Sequence, residues 1–311
     1  MKIAVLFPGQ ASQYVGMGRE LAQSHKEAAE VFDRADEALG EPFHKLLWDG
    51  PAEDLDLTAN TQPGVLTVSI AAWRVLRASL PDLSPAYLAG HSLGEYSALV
   101  AAGSLGFEDA VRTVRQRGRF MQEAVPVGQG AMAALMGLEP EAVAAACEEA
   151  SQGDVVSPAN DNAPGQVVIA GHAGAVQRAV ELAKTKGCKR AVMLPVSAPF
   201  HSALMAPARE RLTPVLDGLS FSDPSWPVVA NVDALPTHSA SEAKGKLVLQ
   251  VDAPVRWRET LLFLQAQGVD TILEVGPGTV LCGLAKRVSR DWKLLNVENM
   301  ESLAKTIEVL S

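Results

Sequence analysis

Tyr87-Leu88-Ala89-Gly90-His91-Ser92-Leu93-Gly94-Glu95-Tyr96 is the stretch around which the chain is organised. An apolar run, Ala86 to Ala89, enters it, and a run of good helix formers, Glu95 to Ala102, leaves it. Between them, Gly90-x-Ser92-x-Gly94 has the pattern of a nucleophile elbow, a serine on a tight strand-to-helix turn. Glycines suit both flanks because the backbones there come too close for a Cβ, and because glycine takes unusual φ/ψ values at low steric cost. The first N–H groups of the following helix point back at the serine, which favours a developing oxyanion. The same five-residue pattern also occurs by chance in loops, so the assignment rests on the strand before it and the helix after it. Ser92 is the candidate nucleophile.

A chain of 311 residues can bury a sizeable core as one large domain or two smaller ones. Hydrophobic residues make up 48%, charged residues 20% and aromatics only 5%, which describes a soluble globular protein built on small aliphatic side chains. The formal net charge of -9 argues against nucleic acid or an anionic membrane surface as the main partner. The apolar run Ile3 to Phe7, closed by Pro8-Gly9, is too short for a signal peptide and reads as a first strand. No apolar stretch is long enough to span a bilayer. Cys147, Cys188 and Cys282 are scattered, with no C-x-x-C, which implies a reduced, cytoplasmic compartment and packing thiols.

After the first strand comes the polar loop Pro8-Gly9-Gln10-Ala11-Ser12-Gln13, at a strand end where α/β proteins place their sites. It lacks the lysine of a phosphate-binding loop. Helical patterning covers 17–39, stopped by Gly40, and Thr61-Gln62-Pro63 reads as the start of a buried helix running to Leu80. From Gly130 to Ser197 the order is strand (131–137), helix (140–150), two strands (155–159 and 166–170), helix (173–186) and strand (189–196). That order is the ferredoxin-like βαββαβ unit. With Gly128-Gln129-Gly130 at its entry and Ser197-Ala198-Pro199 at its exit, it reads as an insertion. The expected domains are a discontinuous large one, 1–127 and 199–311, and a small inserted one, 128–198. Strands alternating with helices in the large part predict a mostly parallel sheet covered on both faces, an α/β-hydrolase-like core.

On the helix predicted over 107–123, Ala110, Val114 and Met121 share one face and Arg117 lies at its edge. An inward guanidinium cannot lose its proton and demands an anion. The pattern alone slightly favours a structural pair with a buried Asp or Glu over a clamp for a substrate carboxylate. A nucleophilic serine also needs a base, usually histidine. Of six histidines, His201 stands in a loop after a strand and downstream of the serine, the Ser…His order of α/β-hydrolases, whereas His91 is locked in the elbow. No two histidines have metal-ligand spacing, so no metal is expected.

Seven motifs occur in order: Gly9-Gln10-Ala11-Ser12-Gln13, Gly90 to Tyr96, Arg117-Gly118 with Met121-Gln122, Asn160-x-Asn162-x-Pro164-Gly165-Gln166, Pro199-Phe200-His201-Ser202, Pro254-Val255-Arg256-Trp257 and Glu274-Val275-Gly276-Pro277-Gly278. With them the chain resembles the malonyl-CoA:acyl-carrier-protein transacylases of the bacterial fatty-acid synthase type, from the first strand to about residue 298. The resemblance implies an acyltransferase in which Ser92 attacks malonyl-CoA and His201 takes its proton. The main-chain carbonyl of Gln250 would orient His201, and the N–H groups of Gln10 and Leu93 would form the oxyanion hole. Arg117 would hold the malonyl carboxylate, with Phe200, His91 and Asn160 lining the acyl site. Phe200 and Leu93 resemble the malonyl-selective members, so an α-methyl group should be disfavoured. No permanently bound cofactor is implied: malonyl-CoA is substrate, and the acyl carrier protein brings the phosphopantetheine thiol. Ala11 departs from the glycine usual in Gly-Gln-Gly-Ser-Gln, and is strained if that position needs φ > 0.

A carrier protein is acidic, so docking on this acidic chain needs a local cationic patch. Lys186, Lys189 and Arg190, and Lys286, Arg287 and Arg290, are the clusters available. The chain is expected to act as a monomer with an acyl carrier protein and malonyl-CoA, without nucleic acid or membrane. A polyketide or malonate-decarboxylase malonyltransferase would share every motif. A serine hydrolase or thioesterase would share the serine and histidine, but has no use for an inward arginine. A non-catalytic carrier-protein binder has no use for the serine, base and clamp together.

Overall fold

The computed structural model describes residues 1–196 and 198–311; Ser197, in the expected exit from the inserted unit, lies outside the described residues. Among the described residues ten strands occur in chain order: β1 Ile3–Phe7, β2 Tyr87–Gly90, β3 Gly130–Met136, β4 Val156–Ala163, β5 Gln166–His172, β6 Arg190–Met193, β7 Val228–Val229, β8 Pro236–Thr237, β9 Thr271–Val275 and β10 Lys293–Val297. They form two sheets.

The six-stranded sheet has the order β10-β9-β1-β2-β7-β8, parallel from β10 to β7, with only β8 antiparallel at one edge. All five residues of β1 are buried, as a strand covered on both faces requires. Ile3, Val5 and Phe7 face the core shared with the helices Thr58–Ser79 and Phe107–Glu123. Ala4 and Leu6 face the opposite core, packed with the helices Trp257–Ala266 and Val280–Val288. Gln10, Ser92 and Asn231 all follow the carboxyl ends of neighbouring strands, where the loops converge.

The four-stranded sheet is antiparallel throughout, in the ferredoxin-like order β4-β5-β3-β6. Its helices Pro140–Ser151 and Ala173–Thr185 cover one face, on Ala133, Leu135, Val167 and Ile169. The alternate residues Met132, Ala134, Val168 and Ala170 join the core of the large sheet. The two sheets are also stitched at β4: Val255 N–H donates to Ala159 O (2.8 Å), Asp161 N–H donates to Val255 O (3.0 Å), and Arg258 pairs with Asp161 (2.8 Å).

Some boundaries differ from expectation. The helical stretch 17–39 is two helices, Arg19–Ser24 and Lys26–Leu39, divided by His25 in extended conformation (φ -133°). The buried helix begins at Thr58, not Thr61, and carries Pro63 inside it. Asn60 and Thr61 N–H already bond to Leu57 O, so the helix is under way before the proline, which removes a single bond from a segment held by burial. No helix among the described residues is long and apolar enough to cross a membrane.

Candidate active site

Steric necessity explains the two elbow glycines. A Cβ on Gly90 would lie 1.9 Å from Gly94 O, and one on Gly94 would lie 2.2 Å from Phe7 O. Neither, however, is the left-handed residue. That conformation falls on Ser92 itself (φ 53°), a placement that costs about 1–3 kcal/mol and persists only where the surroundings over-determine it. They do so here through a buried cage. Ser92 N–H donates to Asn231 Oδ1 (2.7 Å), and Gln250 Nε2 donates to Ser92 O (2.9 Å). Asn231 Nδ2 also holds Gly90 O (2.8 Å). Asn231 N–H and Gln250 Nε2 then both donate to Glu95 Oε2, each at 2.9 Å. Burial pushes the Glu95 carboxyl up to about 7, against the pull of those two hydrogen bonds.

His201 Nε2 lies 2.7 Å from Ser92 Oγ, and its Nδ1 lies 3.0 Å from Gln250 O and 3.2 Å from Ala253 O. Main-chain carbonyls only accept, so Nδ1 carries the proton and Nε2 presents its lone pair to the serine hydroxyl. Burial first, then the charge of Arg117 and the neighbouring His91, lowers the imidazole to about 3. The ring is therefore a neutral base at physiological pH. The expected Gln250 carbonyl is in place, with Ala253 O beside it.

Arg117 is only 2% exposed. Nη1 donates to Gln62 Oε1 (2.6 Å), and Nη2 donates to Gln250 Oε1 (2.9 Å) and Ser92 Oγ (3.1 Å). Nε has no partner. Among the described residues no carboxylate forms an ion pair with it; Glu95 is linked to it through the Gln250 amide and acts on its charge at longer range. A buried cation held by neutral oxygens is incompletely compensated, which is the state expected of a group awaiting an anionic ligand. The structural ion pair favoured by the helix pattern is absent among the described residues.

Ser92, His201, Arg117 and Gln62 border one cavity of about 370 Å³, along with Gln10, Leu93, Phe200 and Asn160. Gln10 follows β1, and Leu93 is the N-cap of the helix Gly94–Ala101, so residues of two elements border the cavity beside Ser92. Ala11, also on the cavity, has φ 78°, so the alanine does sit in the left-handed region that glycine would occupy freely. His91 borders the cavity too, but its Nε2 is engaged with Asn162 Oδ1 (2.8 Å) and its ring meets Trp257 edge-on. No cluster of metal-ligating side chains occurs among the described residues.

Lys189, Arg190, Lys286 and Arg287 are exposed, and Lys189 and Arg287 approach one turn from different elements. Lys189 packs on Gly137, Gly137 N–H bonds Gly165 O (2.8 Å), and Arg287 bridges to Pro164 O (2.8 Å) and Gln166 Oε1 (2.6 Å) across the same turn. Beyond Arg190, the chain runs through β6 to Leu194 and Val196 on the cavity wall. Lys186 instead pairs with Glu149 (3.0 Å).

Asn231, Glu95, Gln62 and Thr58 are site residues that the sequence did not single out. The available signals were weak: an asparagine just after a strand end, an acid in the first turn after the elbow, and polar residues in an otherwise apolar helix.

The chain matches the acyl transferase domain family over residues 5–307. It is 49% identical over 310 residues to a malonyl CoA-acyl carrier protein transacylase from Bacillus subtilis, covering 99% of this chain and 97% of that one. It is 51% identical to the protein of the same name from Escherichia coli K12, covering 92% and 93% of the two chains. Among solved structures, an acyl carrier protein S-malonyltransferase from Vibrio cholerae superposes with a TM-score of 0.96 at 49% identity, covering 98% of this chain and 100% of that chain. A malonyl-transacylase in complex with a type II PKS acyl-carrier protein gives 0.97 at 46% identity, covering 99% and 100%. The chain belongs to the acyl transferase domain family, among its malonyl-CoA–acyl carrier protein transacylases.

Proposed function

We propose that this protein moves the malonyl group of malonyl-CoA to the phosphopantetheine thiol of an acyl carrier protein, through a malonyl ester on Ser92, to supply fatty-acid synthesis. The observation that carries this reading is the buried, carboxylate-free Arg117, 3.1 Å from the serine oxygen that His201 contacts from the other side. A hydrolase of neutral acyl chains gains nothing from that guanidinium.

In the first half-reaction Ser92 Oγ attacks the thioester carbonyl as its proton passes to His201 Nε2. The N–H groups of Gln10 and Leu93 receive the oxyanion; donors fixed before charge develops supply a large part of such rate enhancements. Collapse breaks the carbon–sulfur bond, His201 returns the proton to the departing CoA sulfur, and the ester remains. In the second half, the carrier thiol gives its proton to His201 and attacks the ester, and Ser92 recovers its proton as leaving group. No permanently bound cofactor takes part. Gln250 and Ala253 carbonyls hold the imidazole tautomer without adding a charge. Phe200 and Leu93 narrow the acyl site against an α-methyl group, a discrimination worth about 1–3 kcal/mol. We read residues 128–198 as an inserted unit that roofs this site.

Two half-reactions through one covalent intermediate require ping-pong kinetics. Initial rates with malonyl-CoA and a carrier protein varied together should give parallel double-reciprocal lines; intersecting lines would exclude the ester intermediate.

The Lys189/Arg190 and Lys286/Arg287 surface around that turn is the docking patch we assign to the acidic carrier. Charge reversal at Lys189 and Arg190 should raise the carrier KM by about tenfold at low salt and flatten its ionic-strength dependence. An unaltered KM and salt response would remove the patch from this scheme.

A further inference from the structure

Thr58 and Gln62 are buried polar side chains of the helix Thr58–Ser79 that no step of the transfer scheme uses. Thr58 and Gln62 stand one turn apart on it, each only 2% exposed. Arg117 Nη1 donates to Gln62 Oε1 (2.6 Å), Gln62 Nε2 donates to Thr58 Oγ1 (3.1 Å), and Thr58 Oγ1 donates to Gln10 Oε1 (2.8 Å).

The direction of the first two links is set by chemistry, and the structure gives that of the third. A guanidinium can only donate, so Gln62 must turn its carbonyl oxygen to Arg117 and its NH₂ to Thr58. The threonine hydroxyl accepts that bond and directs its single proton to Gln10. One polarised chain therefore joins the acyl clamp to the residue whose main-chain N–H serves the oxyanion.

The Gln10 loop is held a second time, at Asp56 just before this helix. Ala11 N–H donates to Gln13 Oε1, and Gln13 Nε2 donates to Asp56 Oδ1, both at 2.8 Å. From the other side, Gly118 is pressed on this turn: a Cβ there would lie 2.6 Å from Thr58 O. Ala11, at φ 78°, holds a conformation that alanine disfavours, so the loop needs such outside support.

We propose that Thr58 is a positioning residue that couples the Arg117 clamp to the Gln10 oxyanion loop. A carboxylate-bearing acyl group, by engaging Arg117, tightens the chain that sets the Gln10 N–H; an acyl group without a carboxylate does not. The inference rests on the roles of Arg117 and Gln10 given above, and its test separates the two.

Single-turnover malonyl loading of Ser92 is measured in the wild type, Thr58→Val, Arg117→Ala and the double variant. Thr58→Val removes the hydroxyl while keeping side-chain shape. It should slow loading by about tenfold in the wild-type background, the worth of one buried neutral hydrogen bond. In the Arg117→Ala background the same change should cost less than about threefold, because coupled residues are non-additive. Thr58→Ser, which keeps the hydroxyl, should restore loading to within about threefold of wild type. If Thr58→Val does not fold, Thr58→Ala replaces it in the cycle. Equal costs in both backgrounds, or a Thr58→Ser variant as slow as Thr58→Val, overturn the coupling while leaving the clamp intact. Wild-type malonyl loading by Arg117→Ala overturns the clamp itself, and the coupling with it.

Discussion

His201→Ala should lower malonyl transfer by about 10,000-fold while leaving malonyl-CoA binding within about threefold of wild type. Among the described residues the imidazole is the only group placed to take the Ser92 proton: Nε2 is 2.7 Å from Oγ, and the other neighbour of that oxygen, Arg117, can only donate. Without the base, Ser92 must attack as a neutral alcohol, and both half-reactions suffer. The side chain contacts the cavity, so its removal enlarges an existing space and should cost the fold little. Pre-steady-state loading and equilibrium binding measured on the same variant check both statements. A loss confined to KM would show that His201 positions substrate and does not transfer the proton.

The pH dependence follows from the same environment. Burial and the Arg117 charge hold His201 near 3 in the free enzyme, well below the ordinary histidine value of 6.5. The base form is the neutral one, so activity governed by His201 persists as pH falls through 6.5. The acid limb of kcat/KM belonging to this group should therefore lie well below 6.5. For stability the sign is also fixed. A histidine lowered by folding favours the unfolded state once pH drops below 6.5, and that loss grows until the folded-state value near 3 is reached.

Arg117→Ala carries the second large effect. It should reduce kcat/KM for malonyl-CoA by about 100- to 1,000-fold, the consequence of losing charge-assisted hydrogen bonds in a desolvated site. Acetyl-CoA, with no carboxylate, loses no such bond, so the bias against acetyl should fall by a comparable factor. Removing the guanidinium also removes one cause of the low His201 value, so the acid limb should move upward in this variant. Competition between the two thioesters, followed over pH, measures both outcomes. Unchanged malonyl-over-acetyl selectivity would contradict the clamp.

The parts of the site legible in the sequence are those set by local pattern. β2, the elbow and the helix Gly94–Ala101 follow from one continuous stretch, Tyr87 to Ala101, and the βαββαβ unit follows from alternating periodicities. His201 and Arg117 were each visible as a candidate, one in a strand-end loop and the other on a helix edge. What could not be read is the cage. Asn231 and Gln250 reach Ser92 from 139 and 158 residues away, and no spacing rule connects them. Nor could the strain be located. The pattern suggested that glycines would take the unusual dihedrals, but crowding of Gly90 and Gly94 against backbone explains those residues, while Ser92 takes the positive φ. Arg117 was ambiguous for a related reason. Helix geometry sets the direction of a side chain, whereas the identity of its partners depends on what other segments bring to that face. Gln62 and Gln250 supply amide oxygens where a structural arginine would have met a carboxylate.

The most direct test of the account is intact-mass analysis after incubation with malonyl-CoA or acetyl-CoA, with the adduct located by peptide mapping. The account predicts a malonyl adduct on Ser92 that persists until a holo carrier protein is added and is then discharged onto its thiol. Rapid loss of the malonyl group to water, or equal loading by acetyl-CoA, would contradict it.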